Sequence, residues 1–442
     1  MPPVNGRVFF WSCAALGMAA ACGPAAFEPF VPEATDAADA DAGDVLSPPG
    51  LPRQKSDASA ADGPDDSPRP TPPRVVSLTA GGGHVCALLD RGALACWGAN
   101  FKGESAATQP AQIRRPVLVA ALTRPAVALA AGGRHTCAIL DDQNVTCWGA
   151  NDFQQRGDVD AKARPAPGPT VMVGAKVIAA GDANTCALGT LGVTCWGAND
   201  FAQLAPSEGP ETNPSVETSL PVVVDGLQPS GLVDLGVGTR FFCARTQGGA
   251  VFCRGRNQQG QLGRGGQSLF EPSLARAIEA APGAVRLAVG SRHVCAVTAD
   301  GQITCFGAND AGQLGEAAND AGEPASRPGE PRRVAMPAGL GGVESLAAGY
   351  EHTCAVVNGG AVICWGGNVF MQCGQDPALA GRSVPPTVVA GVADAVSIVA
   401  SDHSTCALRK DGRVLCWGSN TNGTLGDGTL VGRHAPREVS WP

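Results

Sequence analysis

Short apolar runs separated by turn residues dominate the pattern of this chain. Residues 348–366 give the clearest example, because two β-branched and apolar runs flank Asn358, Gly359 and Gly360. Runs of this length around an Asn-Gly punctuation are typical of a β-hairpin. A further apolar run, residues 343–348, precedes the hairpin. The pattern therefore predicts β-strands grouped around hairpins, without long amphipathic helices.

The hairpin recurs seven times, and each copy carries two cysteines. Successive copies are about 50 to 60 residues apart, which is a typical period of a repeat architecture. The first cysteines are Cys86, Cys137, Cys186, Cys243, Cys295, Cys354 and Cys406, and the second are Cys96, Cys147, Cys195, Cys253, Cys305, Cys364 and Cys416. The repeats span residues 74–442, so we interpret this region as one large body whose core is shared between neighbouring units.

Each repeat divides into four predicted strands, A to D, of which the cysteine hairpin supplies C and D. Residues 116–119 are typical of strand A, and residues 127–131 are typical of strand B. The first repeat lacks strand A, whereas residues 435–441 follow the last hairpin with no strand B after them. We therefore predict an all-β, seven-bladed β-propeller of four-stranded blades, closed by the C-terminal strand joining the N-terminal blade. An open solenoid is the alternative.

The register of each hairpin brings its two cysteines together. In the first copy, residues 90–92 fit a three-residue loop with a glycine bulge, which places Cys86 opposite Cys96. Such a non-hydrogen-bonded pair has Cα atoms about 4.5 Å apart, at the lower edge of disulfide reach. The shorter third hairpin keeps the same class of pair. We predict one disulfide in each hairpin, with buried free thiols as the alternative, and Cys373 stands outside the hairpins.

The N-terminus has the features of an export signal. An apolar run over residues 8–21 follows Arg7, and it is too short and too rich in alanine for a membrane span. Residues 19–21 are three alanines before Cys22, which resembles a bacterial lipoprotein processing site. We predict a signal segment over residues 1–22, lipidation of Cys22 and a place in the cell envelope, at the outer membrane or surface. Ordinary cleavage and secretion are the alternative.

Acidic residues are concentrated between this signal and the repeats. Residues 23–73 contain ten acidic and three basic residues, with abundant Pro and Ala, which predicts a disordered linker. Since the whole chain has a net charge of −8, residues 74–442 are close to neutral. A nearly neutral body lacks the basic surface that binds phosphates. We therefore expect no nucleic-acid partner, and contact with a membrane only through the lipid anchor.

Three stretches of the repeat carry a family resemblance. Residues 349–356, 364–366 and 307–315 resemble the regulator of chromosome condensation repeat, and the resemblance extends over residues 74–442. It implies a seven-bladed β-propeller, in agreement with the strand pattern. Members of this family include a nuclear guanine-nucleotide exchange factor that binds chromatin, and a secreted β-lactamase inhibitor is similar in fold. The signal segment and the cysteine pairs argue against the nuclear role.

No combination of residues typical of catalysis stands out. One repeat position is occupied by His84, His135, His293 and His352, which favours a side-chain hydrogen bond to a neighbouring turn over a metal or acid–base site. Tryptophan follows the second cysteine in five copies, which favours packing between blades over a carbohydrate-stacking surface. The glycine-rich turns lack the Lys-Ser/Thr of a phosphate loop. We expect neither an enzyme nor a bound cofactor or metal.

Two classes of function fit these features. The first is a monomeric scaffold that binds a protein partner at the cell envelope. The second is a regulator of a specific enzyme, either an inhibitor of a secreted hydrolase or, by family analogy, a guanine-nucleotide exchange factor.

The fourth repeat departs from the others in its basic and aromatic residues, which are common anchors at interfaces. These residues are Arg240, Phe241, Arg254 and Arg256, accompanied by Phe242 and Arg245. Long D-to-A connections, which are usual places for recognition, flank this blade. We predict that the face carrying these connections contacts the partner near the fourth blade.

Overall fold

A computed structural model describes residues 73–204, 218–224, 227, 231–266, 268–271, 281–316 and 330–442. The predicted signal segment with Cys22, and the predicted linker up to residue 72, lie outside the described residues. Most of the two long connections that flank the fourth repeat lies outside them as well. No helix in the described part of the chain is long and apolar enough to cross a membrane.

Seven four-stranded antiparallel sheets form the blades, and each sheet uses four consecutive strands. Blade 1 contains β1 (Val75–Ala80), β2 (His84–Leu89), β3 (Leu94–Ala99) and β4 (Gln112–Leu118). Blade 2 contains β5 (Ala126–Ala131), β6 (His135–Leu140), β7 (Val145–Gly149) and β8 (Thr170–Met172). Blade 3 contains β9 (Ala175–Ala180), β10 (Asn184–Gly189), β11 (Gly192–Gly197) and β12 (Thr218–Val223). Blade 4 contains β13 (Leu232–Val237), β14 (Phe241–Thr246), β15 (Val251–Asn257) and β16 (Ser268–Glu271).

The remaining three blades follow the same plan. Blade 5 contains β17 (Ala284–Val289), β18 (His293–Thr298), β19 (Ile303–Gly307) and β20 (Arg332–Arg333). Blade 6 contains β21 (Val343–Ala348), β22 (His352–Val357), β23 (Ala361–Gly367) and β24 (Ser383–Val388). Blade 7 contains β25 (Ala395–Ala400), β26 (Ser404–Arg409), β27 (Val414–Gly418) and β28 (Arg433–Glu438). Two short helices complete the described elements, a 3-10 turn (Asp90–Gly92) and α1 (Pro377–Ala380). The predicted all-β propeller of seven four-stranded blades is confirmed, and the first strand of each blade lines the central channel.

The predicted closure, in which the C-terminal strand joins the N-terminal blade, is wrong. β28 pairs with β27 of its own blade, where Glu438 lies opposite Leu415. In blade 1, β4 likewise pairs with β3, so the segment after a hairpin completes the preceding blade and does not begin the next one. The cause is local, because the chain returns antiparallel to the strand that it has just left. Each blade is therefore continuous in sequence.

Side-chain packing joins the first and last blades instead. Val75 and Leu89 of blade 1 share a core cluster with Leu408 and Val414 of blade 7. The indole of Trp97 also packs in this cluster, and its Nε1 donates a 2.8 Å hydrogen bond to the backbone carbonyl of a residue in the last connection, Thr424.

The predicted role of the tryptophans in blade-to-blade packing is confirmed. Trp148 of blade 2 is fully buried against Leu88 and Leu94 of blade 1. Its Nε1 donates a 3.0 Å hydrogen bond to the backbone carbonyl of Glu104, in the connection between β3 and β4. The same bond to the preceding blade is made by Trp196, Trp365 and Trp417. The indoles therefore do not form a surface for carbohydrate.

The repeated histidines form buried hydrogen-bond relays between blades. The Oγ1 of Thr136 donates to the carbonyl of Glu104 at 2.9 Å, so it accepts from the Nε2 of His84 at 2.8 Å. This direction fixes the tautomer with hydrogen on Nε2 and leaves Nδ1 as an acceptor without a partner among the described residues. Burial lowers the pKa of His84 to about 4 and those of the other three relay histidines to about 3.

The histidine of one blade and the threonine of the next occur together. The four relay pairs are His84–Thr136, His135–Thr185, His293–Thr353 and His352–Thr405. The other three interfaces carry at the same repeat positions the pairs Asn184–Phe242, Phe241–Val294 and Ser404–Val85. Every described interface with a histidine at this position thus has a threonine to accept its hydrogen bond. The three interfaces without the histidine also lack the threonine.

The structure supports the predicted disulfides. Cys86 lies opposite Cys96 in the β2–β3 register, with Cα atoms 4.1 Å apart, and all seven hairpins carry the bond. Cys373 is the free cysteine of the described residues. It is buried at the repeat position of Leu314 and Leu425, and burial raises the pKa of its thiol. It therefore serves as a core residue.

Candidate partner-binding face

One end of the propeller carries both the turns between first and second strands and the connections between third and fourth strands. We call this end the mouth face. The central channel opens there into a cavity of about 540 Å³, lined by turns from all seven blades. These turns are rich in glycine because the blades approach closely: a Cβ on Gly132 would lie only 2.4 Å from the carbonyl oxygen of Gly181. The face predicted from strand direction is therefore a continuous surface around an axial opening.

An asparagine folds each connection after the third strand. In blade 5, the Oδ1 of Asn309 accepts a 3.0 Å hydrogen bond from the amide of Leu314, and the Oε1 of Gln313 accepts a 2.8 Å bond from the amide of Ala311. The bond to the residue five positions later is also made by Asn100, Asn151, Asn199, Asn257, Asn368 and Asn420. The one or two residues after the asparagine therefore form the tip of the connection.

Phenylalanines occupy several of these tips. Phe101 is 58% exposed, Phe370 is 44% exposed and Phe153 is 38% exposed, while Phe201 is half-buried. Among the side chains that the structure describes, no other phenylalanine is exposed. Aromatic rings gathered on one end of a rigid fold are typical of a binding surface. Sequence reasoning missed this set, although all four rings lie one or two residues after the loop asparagine.

Cationic side chains stack on these rings. The guanidinium of Arg240 lies 4.6 Å from the centre of the Phe153 ring, and that of Arg256 lies 5.5 Å from Phe201. On the other side of the mouth, Arg292 lies 4.8 Å from the ring of Tyr350. Stacking holds long side chains in one orientation, so less rotamer freedom remains to be lost when a partner binds.

Ion pairs fix two of these arginines further. Arg240 lies 3.3 Å from the carboxylate of Asp200. Arg292 lies 3.1 Å from Asp310 and 3.0 Å from Glu351. The mouth face thus has an ordered rim of aromatic and paired charged groups. In the described residues no group of three or more potential ligands is placed to hold a metal ion.

The patch predicted around the fourth blade divides into half-buried and fully buried residues. Arg240 and Arg256 lie at the mouth face, where contact with a partner stays a prediction. Phe241 and Arg254 are each 1% exposed, so their predicted contact with a partner is wrong. Phe241 fills the repeat position of the relay histidines, and Arg254 fills that of the buried tryptophans, where its Nε donates a 2.8 Å bond to the carbonyl of Ala202.

The two accompanying residues are not part of this surface. Phe242 is buried in the core between blades 3 and 4. Arg245 lies further along β14, where its Nε donates a 3.3 Å bond to the carboxylate of Asp234. The basic and aromatic character of the fourth repeat therefore reflects packing at most of its positions.

Comparison with known families agrees with this architecture. The model of the regulator of chromosome condensation (RCC1) repeat matches residues 75–104, 126–155, 284–313, 343–375 and 395–424. A second RCC1 repeat model matches residues 248–297, 300–356 and 411–442. The chain belongs to the RCC1-repeat family.

Several curated proteins resemble this RCC1-repeat protein. The ultraviolet-B receptor UVR8 of Arabidopsis thaliana is 30% identical over 332 residues, covering 73% of this chain and 72% of the receptor. The guanine nucleotide exchange factor SRM1 of Saccharomyces cerevisiae is 25% identical over 387 residues, covering 75% of this chain and 79% of that protein. The mouse E3 ubiquitin-protein ligase HERC2 is 28% identical over 292 residues, which span 64% of this chain and 6% of the ligase.

Solved structures show the same fold. Prp20p of Saccharomyces cerevisiae aligns with a TM-score of 0.67 and 22% identity, covering 83% of this chain and 87% of that chain. Human WBSCR16 aligns with a TM-score of 0.67 and 20% identity, covering 79% of this chain and 94% of that chain.

Proposed function

We propose that this RCC1-repeat protein is an exported scaffold that binds a protein partner through its mouth face. The observation that carries the proposal is the set of exposed phenylalanines at the tips of that face, with stacked arginines beside them. Aromatic and arginine side chains contribute most of the binding energy in many protein interfaces. The disulfides support a place in an oxidising compartment.

Binding at this face can be tested by capture of proteins from the envelope fraction of the source cells. We expect Phe153→Ala combined with Phe370→Ala to reduce recovery of a captured protein at least about tenfold, because both rings would be buried in the complex. Leu191 provides the matched control, since it is 72% exposed in the β10–β11 turn at the opposite end. Equal losses for the Leu191→Ala control would contradict a role for the mouth face.

We also propose that Cys22 anchors the scaffold to a membrane through a lipid. The support is the Ala-rich sequence before this cysteine. Cys22→Ser should move the protein from the membrane to the soluble fraction and remove the mass of the lipid. An unchanged fraction and mass would contradict the anchor while leaving the mouth face untouched.

A regulator of a specific enzyme is the second candidate. SRM1, which is similar over most of its length, is named a guanine nucleotide exchange factor, and Prp20p was described with its binding to Gsp1p and histones. The identity of the captured protein decides between the candidates. Recovery of a GTPase whose nucleotide release this chain accelerates, or of a hydrolase that it inhibits, would favour regulation over a passive scaffold.

A further inference from the structure

The axial cavity of the mouth face has an excess of negative charge. Its ionisable lining consists of the carboxyl groups of Glu104, Asp182 and Asp402, the guanidinium of Arg134 and the phenol of Tyr350. The carboxyl groups come from blades 1, 3 and 7, so they lie toward one side of the opening. The three carboxyl groups outnumber the one guanidinium, so a cation that entered the cavity would favour their ionisation and would meet a favourable field.

Glu104 presents a buried carboxyl oxygen without a partner. This side chain is 1% exposed, and its Oε2 accepts a 2.7 Å hydrogen bond from the amide of Lys102. Its Oε1 has no hydrogen-bond partner among the residues that the structure describes. The same repeat position is an amide side chain in Gln155, Gln203, Gln261, Gln313 and Gln372. Since glutamine forms the connection equally well in five blades, the carboxyl group in blade 1 is not required for folding.

The side chains of Asp182 and Asp402 also have no positively charged partner among the described residues. Neither carboxylate forms a hydrogen bond or ion pair with any residue that the structure describes, whereas Asp200 and Asp310 on the same face pair with arginines. Burial, and then the charge of Asp182, raise the pKa of Asp402 to about 7. Negative charges on both side chains would repel each other, and a cation bound in the cavity would favour the ionised form of both.

Glycines leave room for these carboxylates above the turns. A Cβ on Gly133 would lie 2.5 Å from the Oδ1 of Asp182, and a Cβ on Gly82 would lie 3.2 Å from the Oδ2 of Asp402. Each carboxylate therefore reaches over a glycine of a neighbouring blade. The ring of Phe101 lines the same cavity and offers an apolar wall to an aliphatic stem.

We propose that the partner inserts a lysine or arginine side chain into the axial cavity, where these three carboxylates receive its charge while the exposed phenylalanines bury its flanking apolar residues. The proposal rests on the proposed docking at the mouth face and specifies the chemistry of the partner. Charge complementarity selects a basic side chain over an acidic or neutral one.

The test uses the purified full-length protein and short synthetic peptides of the form acetyl-Gly-Phe-X-Phe-Gly-amide, measured by calorimetry at low ionic strength. We expect peptides with lysine or arginine at X to bind at least tenfold more tightly than the peptide with norleucine, which has the same aliphatic length without the charge. Asp182→Asn combined with Asp402→Asn should remove this preference. Glu104→Gln, which restores the side chain of the other blades, should reduce it without loss of thermal stability.

Several outcomes would overturn the proposal. These are equal affinity for the lysine and norleucine peptides, no detectable binding of either at millimolar concentration, or a preference that survives in both carboxylate variants. Binding of calcium that the double aspartate variant abolishes, with no lysine preference, would assign the cavity to a metal ion instead. If Phe153→Ala with Phe370→Ala weakens partner capture but the carboxylate variants do not, docking at the face stands and the inserted basic side chain is refuted.

Discussion

Replacement of Thr405 by valine would test the buried relays between blades. The Oγ1 of Thr405 accepts a 2.9 Å bond from the Nε2 of His352 and donates a 2.8 Å bond to the carbonyl of Gln372. Both side chains are almost completely buried. Valine has nearly the same shape as threonine, so Thr405→Val removes the two bonds and leaves the packing volume unchanged.

The magnitude follows from the two bonds separately. The buried Nε2–H of His352 loses its acceptor, which costs about 1–3 kcal/mol of folding free energy. The carbonyl of Gln372 loses the bond from Thr405 but keeps the 3.0 Å bond from Trp417. The loss of this second bond therefore costs about 1 kcal/mol of folding free energy. The double variant His352→Phe with Thr405→Val removes donor and acceptor together, as the pair Phe241–Val294 does naturally. We expect it to be at least about 1 kcal/mol more stable than the sum of the single variants.

Denaturant unfolding with the disulfides intact, followed by tryptophan fluorescence, measures these differences. The matched control is Thr170→Val, on an exposed position of β8, which should change stability by no more than about 0.5 kcal/mol. A cost for Thr405→Val as small as that of the control would refute the relay. Strict additivity of the His352→Phe and Thr405→Val effects would refute the coupling between blades.

Three further predictions concern acid, redox state and close backbone approach. Because the folded pKa values of the relay histidines lie below their unfolded value, the unfolded chain binds more protons below about pH 6.5. The free energy of unfolding should therefore fall as the pH falls, by up to about 1.4 kcal/mol per histidine per pH unit. Asp402, whose folded pKa is raised to about 7, has the opposite sign and offsets about one histidine; a flat denaturation midpoint from pH 7 to 5 would contradict this. Peptide mapping without reductant should find Cys354 and Cys364 protected from alkylation, and loss of that bond should cost about 2–3 kcal/mol at most; alkylation of both in the native protein would disprove the pairing. Gly132→Ala should lower the melting temperature because its Cβ would meet the His135 ring at 2.2 Å, whereas Gly266→Ala meets nothing within 4 Å and should not; equal melting temperatures would count against the packing.

Local pattern was enough to predict the hairpins and the blades. The period of the cysteines gave the number of blades, and turn length gave the register that places Cys86 opposite Cys96. The pattern could not show whether a fourth strand pairs with the hairpin before it or with the hairpin after it, since the same alternating apolar side chains would be buried in either case. Proximity along the chain decides that question, and β28 accordingly pairs with β27.

The surface was harder to predict than the core. A repeat marks its buried positions by recurrence, so Trp148 and His84 can be assigned to packing from the sequence alone. The exposed residues of a binding surface need not recur in every repeat. Phe101, Phe153 and Phe370 follow the loop asparagine in only some of the repeats, and the sequence does not show that these positions are exposed together at one end of the fold.

The fourth blade shows why departure from a repeat is a weak sign of function. Phe241 replaces a relay histidine and cannot donate a hydrogen bond. The following blade has Val294 in place of the threonine that would accept such a bond. Arg254 replaces a tryptophan and still donates to a backbone carbonyl of the preceding blade. Each unusual residue is thus matched by the interface around it, as expected when buried positions are coupled. At the connection tips no such coupling requires phenylalanine, because the asparagine and glutamine bonds hold the loop whichever residue lies there, so the exposed rings are better evidence for a partner than the altered blade.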